Sequence, residues 1–389
     1  MHLCVVSFKQ CWQDEHGRWL SYGGFPYQMA ALADMFERTT LVVVRGKPQG
    51  KGIPLPPKAT VVALRSPVGV DFRRKVSVAR HFPYYWRMIS RQVRDADVIH
   101  APVPGDISLL GMIIALLQRK RLVGLYNGSW RPNSETTIMN RITRTCMRLT
   151  GGGRNVMLAV GDGETPPARR VDWVFCTALS DDEVRRIRPD CDRGLSARPK
   201  LIYAGRLSVE KGVPNLVRAL AQLRDEGFSP LPHCTLAGDG PQRAEIERLV
   251  TELGCEEMVT FAGQLDRPAL SEQFRQADLC VHPSFTEGYC KAWLDAMMHG
   301  LPVLTTEVGA AAAVIGEPGE RGWLVPPGDV TAFATELRRV LMEPIDWPAM
   351  RRRCRAYAEA RTLEGWASTI GGMCVSQWGI AIDRGKLVA

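Results

Sequence analysis

Two acidic residues, Glu287 and Asp295, stand eight residues apart in a segment whose pattern suggests a chemistry for both. Glu287 and Gly288 come where the sequence predicts the start of a helix, Asp295 lies inside that helix, and a His-Gly pair ends it. The free backbone N–H groups of a helix N-terminus can bind phosphate. An acid at the same place would repel phosphate, so we expect it to bind sugar hydroxyls or to stabilise positive charge. The pattern predicts a site for a diphosphate and a sugar.

Two cations, Arg206 and Lys211, lie between a predicted strand and a predicted helix in "YAGRLSVEKGVPNL". An Arg guanidinium can bond to two phosphate oxygens, and a Lys adds a point charge nearby. Solvated loop side chains are the alternative. Glu287 follows another strand of the same predicted sheet, and the carboxyl ends of parallel strands share one edge. The sequence therefore predicts Glu287, Arg206 and Lys211 as the catalytic residues.

Short β-branched runs alternate with helical stretches along the chain, which predicts parallel α/β sheets. The length of 389 residues suits two domains. A polar stretch without periodicity, 189–200, is expected to link a first domain of residues 1–195 to a second of residues 196–365. The last helix, about 366–389, is expected to pack back on the first domain. The predicted class is α/β, with two Rossmann-like doubly wound domains that face a central cleft.

Five segments of the second half carry a specific resemblance. "AGRLSVEKG", "LAGDGPQRAEIERL", "VTFAGQL", "ADLCVHPSFTEGYCKAWLDAMMHGLPVLTT" and "GWLVPPGD" occur in the order and spacing of family 4 glycosyltransferases. The likeness is strong over residues 200–345 and loose in the first half, where "YGGFPYQMAALA" and "DVIHAPVPG" carry it. The chain thus resembles retaining enzymes of the GT-B fold. The resemblance implies a metal-independent transfer of a sugar from a nucleotide-diphosphate donor to a glycan or lipid-linked acceptor.

The resemblance also implies a role for each matching residue. Arg206 and Lys211 would hold the donor diphosphate, and Glu287 would contact the transferred sugar. Asp295, where the family usually has Glu, would hold the ribose diol. Asn127 replaces a His that is frequent in the family, and it could still hydrogen-bond a sugar hydroxyl. The residues implied in donor binding are Gly23, Gly24, Asn127, Gly288, Tyr289, Cys290 and Asp295.

Charge and apolar content indicate the surroundings of the protein. Residues 1–195 hold 29 Lys and Arg against 17 Asp and Glu, whereas the remainder holds 21 against 24. The first half is therefore expected to face an anionic substrate or surface. The segment 70–94 combines seven cations with Phe, Tyr and Trp, which suits peripheral contact with an anionic membrane. A solvated basic helix with its aromatic side chains packed inward is the alternative.

The remaining features exclude several classes of protein. Eleven cysteines without a C-x-x-C pair, no signal-like start and no bilayer-length apolar run predict a cytoplasmic protein, peripheral at most on the inner face of the membrane. The D-x-D sequences at Asp95–Asp97 and Asp190–Asp192 are at the level of chance, so we expect no metal and no cofactor apart from the donor. No nucleic-acid-binding module is recognisable, and nucleic acid is not expected as a partner.

Two other functions remain open. Asn127, Asp295 and the segment "EVGAAAAVIG", which keeps Gly309 but lacks a polar partner for the donor, fit a sugar-nucleotide-binding subunit with little activity. The same fold also occurs in nucleotide-sugar epimerases and phosphorylases. A phosphorylase would need a Lys placed for pyridoxal phosphate late in the chain, and Lys291 and Lys386, the only lysines after residue 211, stand in no such pattern.

Overall fold

The computed structural model describes residues 1–48, 52–69, 71–130 and 136–388. The chain forms two compact units, Met1–Ala178 with Leu363–Ala389 and Leu179–Thr362. Each unit contains its own mainly parallel sheet with helices packed against it. This arrangement confirms the predicted α/β class with two Rossmann-like domains.

The division between the units falls after Ala178, where the sequence analysis placed it after residue 195. Residues 179–195, which include the start of the predicted linker 189–200, are held by side chains of the second unit. Arg355 donates to the carbonyl oxygen of Val184 at 2.8 Å, and Arg193 is paired with buried Asp278 at 2.8 Å. These contacts make the predicted linker part of the second unit.

The first unit is built on a nine-stranded sheet in the order β4-β2-β1-β6-β7-β8-β9, with β3 beside β1 and β5 beside β3. All its pairings are parallel except those of β2, a short strand that sequence reasoning did not find. Its strands are β1 (His2–Gln13), β2 (Trp19–Ser21), β3 (Arg38–Arg45), β4 (Ile53–Pro54), β5 (Ala59–Leu64), β6 (Val98–Val103), β7 (Arg121–Tyr126), β8 (Asn155–Val160) and β9 (Asp172–Val174). Its first five helices are α1 (Phe25–Ala33), α2 (Asp71–Arg80), α3 (Phe82–Arg94), α4 (Asp106–Leu117) and α5 (Ile138–Thr150).

The second unit is built on a six-stranded, fully parallel sheet in the order β12-β11-β10-β13-β14-β15. Its strands are β10 (Lys200–Ala204), β11 (His233–Ala237), β12 (Val259–Gly263), β13 (Leu279–His282), β14 (Val303–Thr306) and β15 (Gly322–Val325). Its helices are α6 (Asp181–Arg186), α7 (Val213–Asp225), α8 (Arg243–Glu252), α9 (Arg267–Gln276), α10 (Lys291–Met298), α11 (Ala311–Ile315), α12 (Val330–Met342) and α13 (Trp347–Glu359).

The chain then returns to the first unit through α14 (Leu363–Trp378) and a small hairpin of β16 (Ala381–Asp383) and β17 (Lys386–Val388). Alternate residues of β6 show the two faces of the first sheet. Ile99 packs in a core with residues of α3, α4 and α5, whereas Val98 lines a small cavity with Leu32 of α1 and Ile370 of α14. Helices therefore cover both faces, as the doubly wound prediction requires.

None of the helices in the described parts of the chain combines the length and the apolar character needed to cross a bilayer.

Candidate functional site

The strand order of the second sheet changes direction at its centre. From β10 the chain moves outward through β11 to β12, and from β13 it moves the other way through β14 to β15. In open parallel sheets, ligands bind outside the carboxyl ends of the strands at such a switch point. The loops that follow β10 and β13, residues 205–212 and 283–290, are the segments in which the sequence placed its catalytic residues.

These two loops are joined by backbone contacts. The amide of Phe285 donates to the carbonyl oxygen of Glu210 at 2.9 Å. Gly212 has φ +63°, and a side chain there would overlap the carbonyl oxygen of Pro283. Only glycine combines this left-handed conformation with so close an approach. The join fixes the end of one loop against the start of the other.

Lys211 and Glu287 form an ion pair across the joined loops, with Nζ 2.6 Å from Oε1. The hydroxyl of Ser284 donates to the same carboxylate oxygen at 3.0 Å. The Glu287 side chain is only 8% exposed and that of Lys211 22%. Burial acts to lower the pKa of Lys211, but the negative charge of Glu287 outweighs it, and the pKa lies above its usual value. Lys211 is therefore a fixed cation at the switch point.

Arg206 lies on the same loop with its side chain exposed. Its carbonyl oxygen accepts a hydrogen bond from the Tyr203 hydroxyl at 2.8 Å, and the Tyr203 ring lies 4.9 Å from the ring of His282. Both rings are buried. Burial lowers the pKa of His282 to about 3, so this ring is neutral and supports the loop. The arrangement holds the Arg206 backbone and leaves its guanidinium open to solvent.

The helix that carries Asp295, α10, begins at Lys291, and the prediction that it begins at Glu287 was wrong. Its N-cap residue, Cys290, is extended, with φ −82° and ψ 110°. Glu287 and Gly288 therefore lie in the loop that leads into the helix and not in its first turn.

The loop after β14 holds this lead-in segment in place. The amide of Ala310 donates to the carbonyl oxygen of Gly288 at 3.0 Å. Gly309 has φ +58°, and a side chain there would overlap the carbonyl oxygens of Glu287 and Gly288. The Tyr289 and Cys290 side chains are each only 8% exposed. Gly309, which the sequence analysis noted only as a remnant of the family pattern, is thus what allows the loop to close.

His282, Glu287 and Cys290 form the one group in the described ranges with potential metal-ligand atoms within 4.8 Å of one another. Glu287 is already bonded to Lys211 and Ser284. Burial raises the pKa of the Cys290 thiol far above its usual range. A metal would need that thiol deprotonated and the Lys211 ammonium displaced, so this donor set fits a cation poorly.

Asp295 is joined to two residues that sequence reasoning missed. Its Oδ1 lies 3.7 Å from Nη2 of Arg267, and Nε of Arg267 lies 2.6 Å from Oε1 of Glu183. Burial raises the pKa of Asp295, which the positive charge of Arg267 opposes. The three residues, with His299, line a pocket of about 620 Å³. The position of Arg267 just after β12, at the same sheet edge, could have indicated it; nothing in the sequence brings Glu183, 84 residues earlier, to this place.

The other predicted donor-binding residues belong to the first unit. Gly23, with φ +70°, and Gly24, the N-cap of α1, form a turn before that helix. Asn127 follows β7 directly with its side chain exposed, and its amide donates to the carbonyl oxygen of Val103 at 2.6 Å. Their role in donor binding stays a prediction.

Comparison with known proteins finds a family match within the second unit. Residues 194–361 match the family model described as glycosyl transferases group 1. The alpha-D-kanosaminyltransferase of Streptomyces kanamyceticus is 31% identical over 183 residues, 46% of this chain and 47% of that protein. Sulfoquinovosyl transferase SQD2 of Arabidopsis thaliana is 31% identical over 280 residues, 66% of this chain and 52% of that protein. The chain spans about half the length of the curated relatives it matches.

Solved structures match almost the whole chain. Sucrose-phosphate synthase of Thermosynechococcus elongatus has a TM-score of 0.71 at 21% identity, covering 96% of this chain and 98% of that one. Anabaena HepE, solved in complex with UDP-glucose, has a TM-score of 0.66 at 18% identity, covering 97% and 100%. These similarities show that the fold is GT-B, as the resemblance implied.

Proposed function

We propose that this protein is a retaining glycosyltransferase that moves a sugar from a nucleotide-diphosphate donor to an acceptor hydroxyl without a metal. The observation that carries the proposal is the Lys211–Glu287 pair, with a nitrogen–oxygen distance of 2.6 Å, in the joined loops at the switch point. The match of residues 194–361 to the glycosyl transferases group 1 model supports the reaction class. UDP-glucose, named for HepE, is a donor of the proposed kind, and UDP, also named for HepE, is the nucleoside diphosphate that such a donor releases.

Lys211 can bind Glu287 and the donor diphosphate at the same time. An ammonium has three N–H donors, and one of them is used by Glu287. The other two are available to diphosphate oxygens, and exposed Arg206, five residues earlier, adds a guanidinium that can bond to two of them. Arg206 and Lys211 would together hold the leaving diphosphate next to the Glu287 carboxylate, which contacts the sugar.

Catalysis would be electrostatic. As the bond to the sugar breaks, negative charge develops on the diphosphate and positive charge on the sugar ring. Lys211, held in place by Glu287 and partly shielded from water, and exposed Arg206 would stabilise the first charge, and Glu287 the second. By analogy with the family, the acceptor attacks the same face that the diphosphate leaves, and the leaving phosphate takes the proton of the acceptor.

The poor fit of the His282, Glu287 and Cys290 set to a cation favours a metal-independent reaction, because cationic side chains take the place of a metal at the diphosphate. The acceptor of the proposed reaction is a glycan or a lipid-linked acceptor. The basic charge of the first half favours an anionic acceptor. We expect the protein to act in the cytoplasm, in peripheral contact with an anionic membrane when the acceptor is lipid-linked.

A donor screen tests the proposal. The purified protein is incubated with uridine- and guanosine-diphosphate sugars, with and without a chelator, and the release of nucleoside diphosphate is measured. Release that resists the chelator and is lost in Arg206→Ala supports transfer. Saturable binding without release would instead indicate the binding subunit, and a changed sugar on an intact nucleotide an epimerase. Retention is checked by the anomeric configuration of the product.

A further inference from the structure

Helix α5 of the first unit turns an apolar ridge toward solvent. Ile138, Ile142 and Leu149 are 76%, 51% and 73% exposed, whereas Met147 is fully buried in the core. At about 100° per residue, the three exposed residues lie within roughly 40° of one another, opposite Met147. A helix on the surface of a soluble protein usually has polar residues on this face. The ridge is thus an apolar surface that the described residues of this chain leave uncovered.

Cations flank the ridge, and acids are missing from the helix. Arg141 and Arg148 are both exposed and lie on the same side of the ridge. The Arg148 guanidinium lies 5.5 Å from the ring centre of Trp130, which holds it at the surface. The sequence of α5 contains no Asp or Glu.

Helix α4 also exposes apolar side chains on this side of the sheet. It packs in the same core as α5, on the same face of the sheet, and exposes Ile113 and Leu117, the latter by 66%. Asp106 is the only acid in the sequence of α4, and it is paired with Arg74 at 2.8 Å. We call Ile113, Leu117, Ile138, Arg141, Ile142, Arg148 and Leu149 the α4–α5 surface.

The segment that the sequence analysis favoured for membrane contact, 70–94, is less suited, and its first residue lies outside the described residues. Tyr85 is buried, and its hydroxyl donates to the carbonyl oxygen of Arg65. Tyr84 and Trp86 pack against the core, and Phe82 remains 44% exposed. Most of the aromatic side chains described in this segment therefore face inward, as the alternative interpretation had it.

We propose that the α4–α5 surface docks on an anionic lipid bilayer, with the apolar ridge at the level of the acyl boundary and the two arginines on the headgroups. Exposed apolar side chains can insert at the acyl boundary of such a bilayer, and flanking cations are attracted to its anionic headgroups. A second copy of the chain is a poorer occupant, because a symmetric dimer would bring the same arginines together with no acid on the surface to pair with them. The inference rests on the membrane contact in the proposed function and not on the transfer chemistry.

Vesicle flotation with the full chain tests the inference and needs no nucleotide sugar. Phosphatidylcholine vesicles are compared with vesicles in which about a third of the lipid is phosphatidylglycerol. We expect binding to the anionic vesicles only, weakened about 25-fold in R141Q/R148Q, about fivefold for each arginine. The apolar variant I138S/L149S should lose at least about tenfold. The matched controls are Met342→Ser, which changes a residue 64% exposed on α12, and Arg248→Gln on α8.

Thermal unfolding checks that the surface variants are folded. We expect wild-type unfolding temperatures, because the replaced side chains lie outside the core. Equal binding to both vesicle types, or wild-type binding by the two surface variants, would overturn the inference. So would a concentration-dependent dimer in sedimentation velocity that R141Q/R148Q and I138S/L149S abolish, because a second copy would then be the occupant. Transfer activity on a soluble acceptor is read separately: its absence contradicts the proposed function and leaves the vesicle result standing.

Discussion

Replacing the two members of the Lys211–Glu287 pair, singly and together, separates a structural role from a catalytic one. At 2.6 Å and an effective dielectric constant of about 20, the gross attraction is roughly 6 kcal/mol. Desolvation of Glu287 offsets much of it, and the 22% exposure of Lys211 weakens it further. We expect Lys211→Met to lower the free energy of unfolding by about 1–3 kcal/mol, because it leaves a buried carboxylate with Ser284 as its remaining partner.

The double variant Lys211→Met/Glu287→Gln should recover most of this stability, because no buried charge is left unpaired. Transfer should not recover, since the ammonium that stabilises the leaving diphosphate is still absent. The expected loss in turnover is on the order of 10²-fold or more, as for one oxyanion-hole donor. Glu287→Gln alone should lose a comparable factor.

The assay combines thermal unfolding of the three variants with initial rates of nucleoside-diphosphate release. A stability change of about 2 kcal/mol corresponds to roughly 4–8 °C in a unit of this size. If the double variant regained near-wild-type turnover together with its stability, the pair would be a structural ion pair only, and the catalytic argument would be refuted. Wild-type turnover in Lys211→Met would refute it directly.

Three more predictions concern stability and the donor pocket. Burial lowers the pKa of His282 to about 3 and of His100 to about 4. The unfolded chain therefore takes up these protons first as the pH falls below about 6.5, and stability is lost from there toward the folded values, by roughly 2–3 kcal/mol each at pH 4.5. Unfolding temperature measured against pH should fall less steeply in His282→Asn, and an unchanged slope would contradict this. Asp295→Ala should raise KM for the donor about tenfold with a smaller effect on kcat, and Asp295→Glu should retain most donor affinity; a kcat effect alone would exclude a ribose contact. Gly212→Ala should destabilise the protein by more than about 2 kcal/mol, because the added side chain would overlap a backbone carbonyl oxygen. The control Gly227→Ala, also at positive φ but with open space around it, should cost only about 1 kcal/mol. Equal melting temperatures of the two variants would argue against the close approach at Gly212.

Sequence patterns were sufficient for features that depend on local periodicity. Strands β10 and β13, both predicted from the sequence, end at residues 204 and 282, and parallel strands of one sheet share their carboxyl edge. This is why the sequence alone assigns Arg206, Lys211 and Glu287 to the carboxyl edge of one sheet. The short strands β2 and β4 escaped prediction because three and two residues carry no periodicity.

Contacts between distant segments could not be found in this way. Helix α10 begins at Lys291 and not at the predicted Glu287, because the loop after β14 binds the carbonyl oxygen of Gly288. That loop follows a further strand and is distant in the sequence. Residues 179–195 joined the second unit for a similar reason: the arginine that binds Val184 stands 171 residues later. The sequence around Gly288 and around Val184 contains no pattern that predicts these distant contacts.

By itself, the sequence determined the α/β class of both halves and the sheet edge where cations and acids gather, because strand ends and helix periods are local properties of a chain. Only the tertiary structure decided that Lys211 bonds to Glu287 across 76 residues, that Arg267 links Asp295 to Glu183, and that α5 turns its apolar ridge outward. Each of these depends on which side chains packing brings within a few ångströms of one another, and an ion pair or an exposed ridge exists only once both sides of that contact are in place.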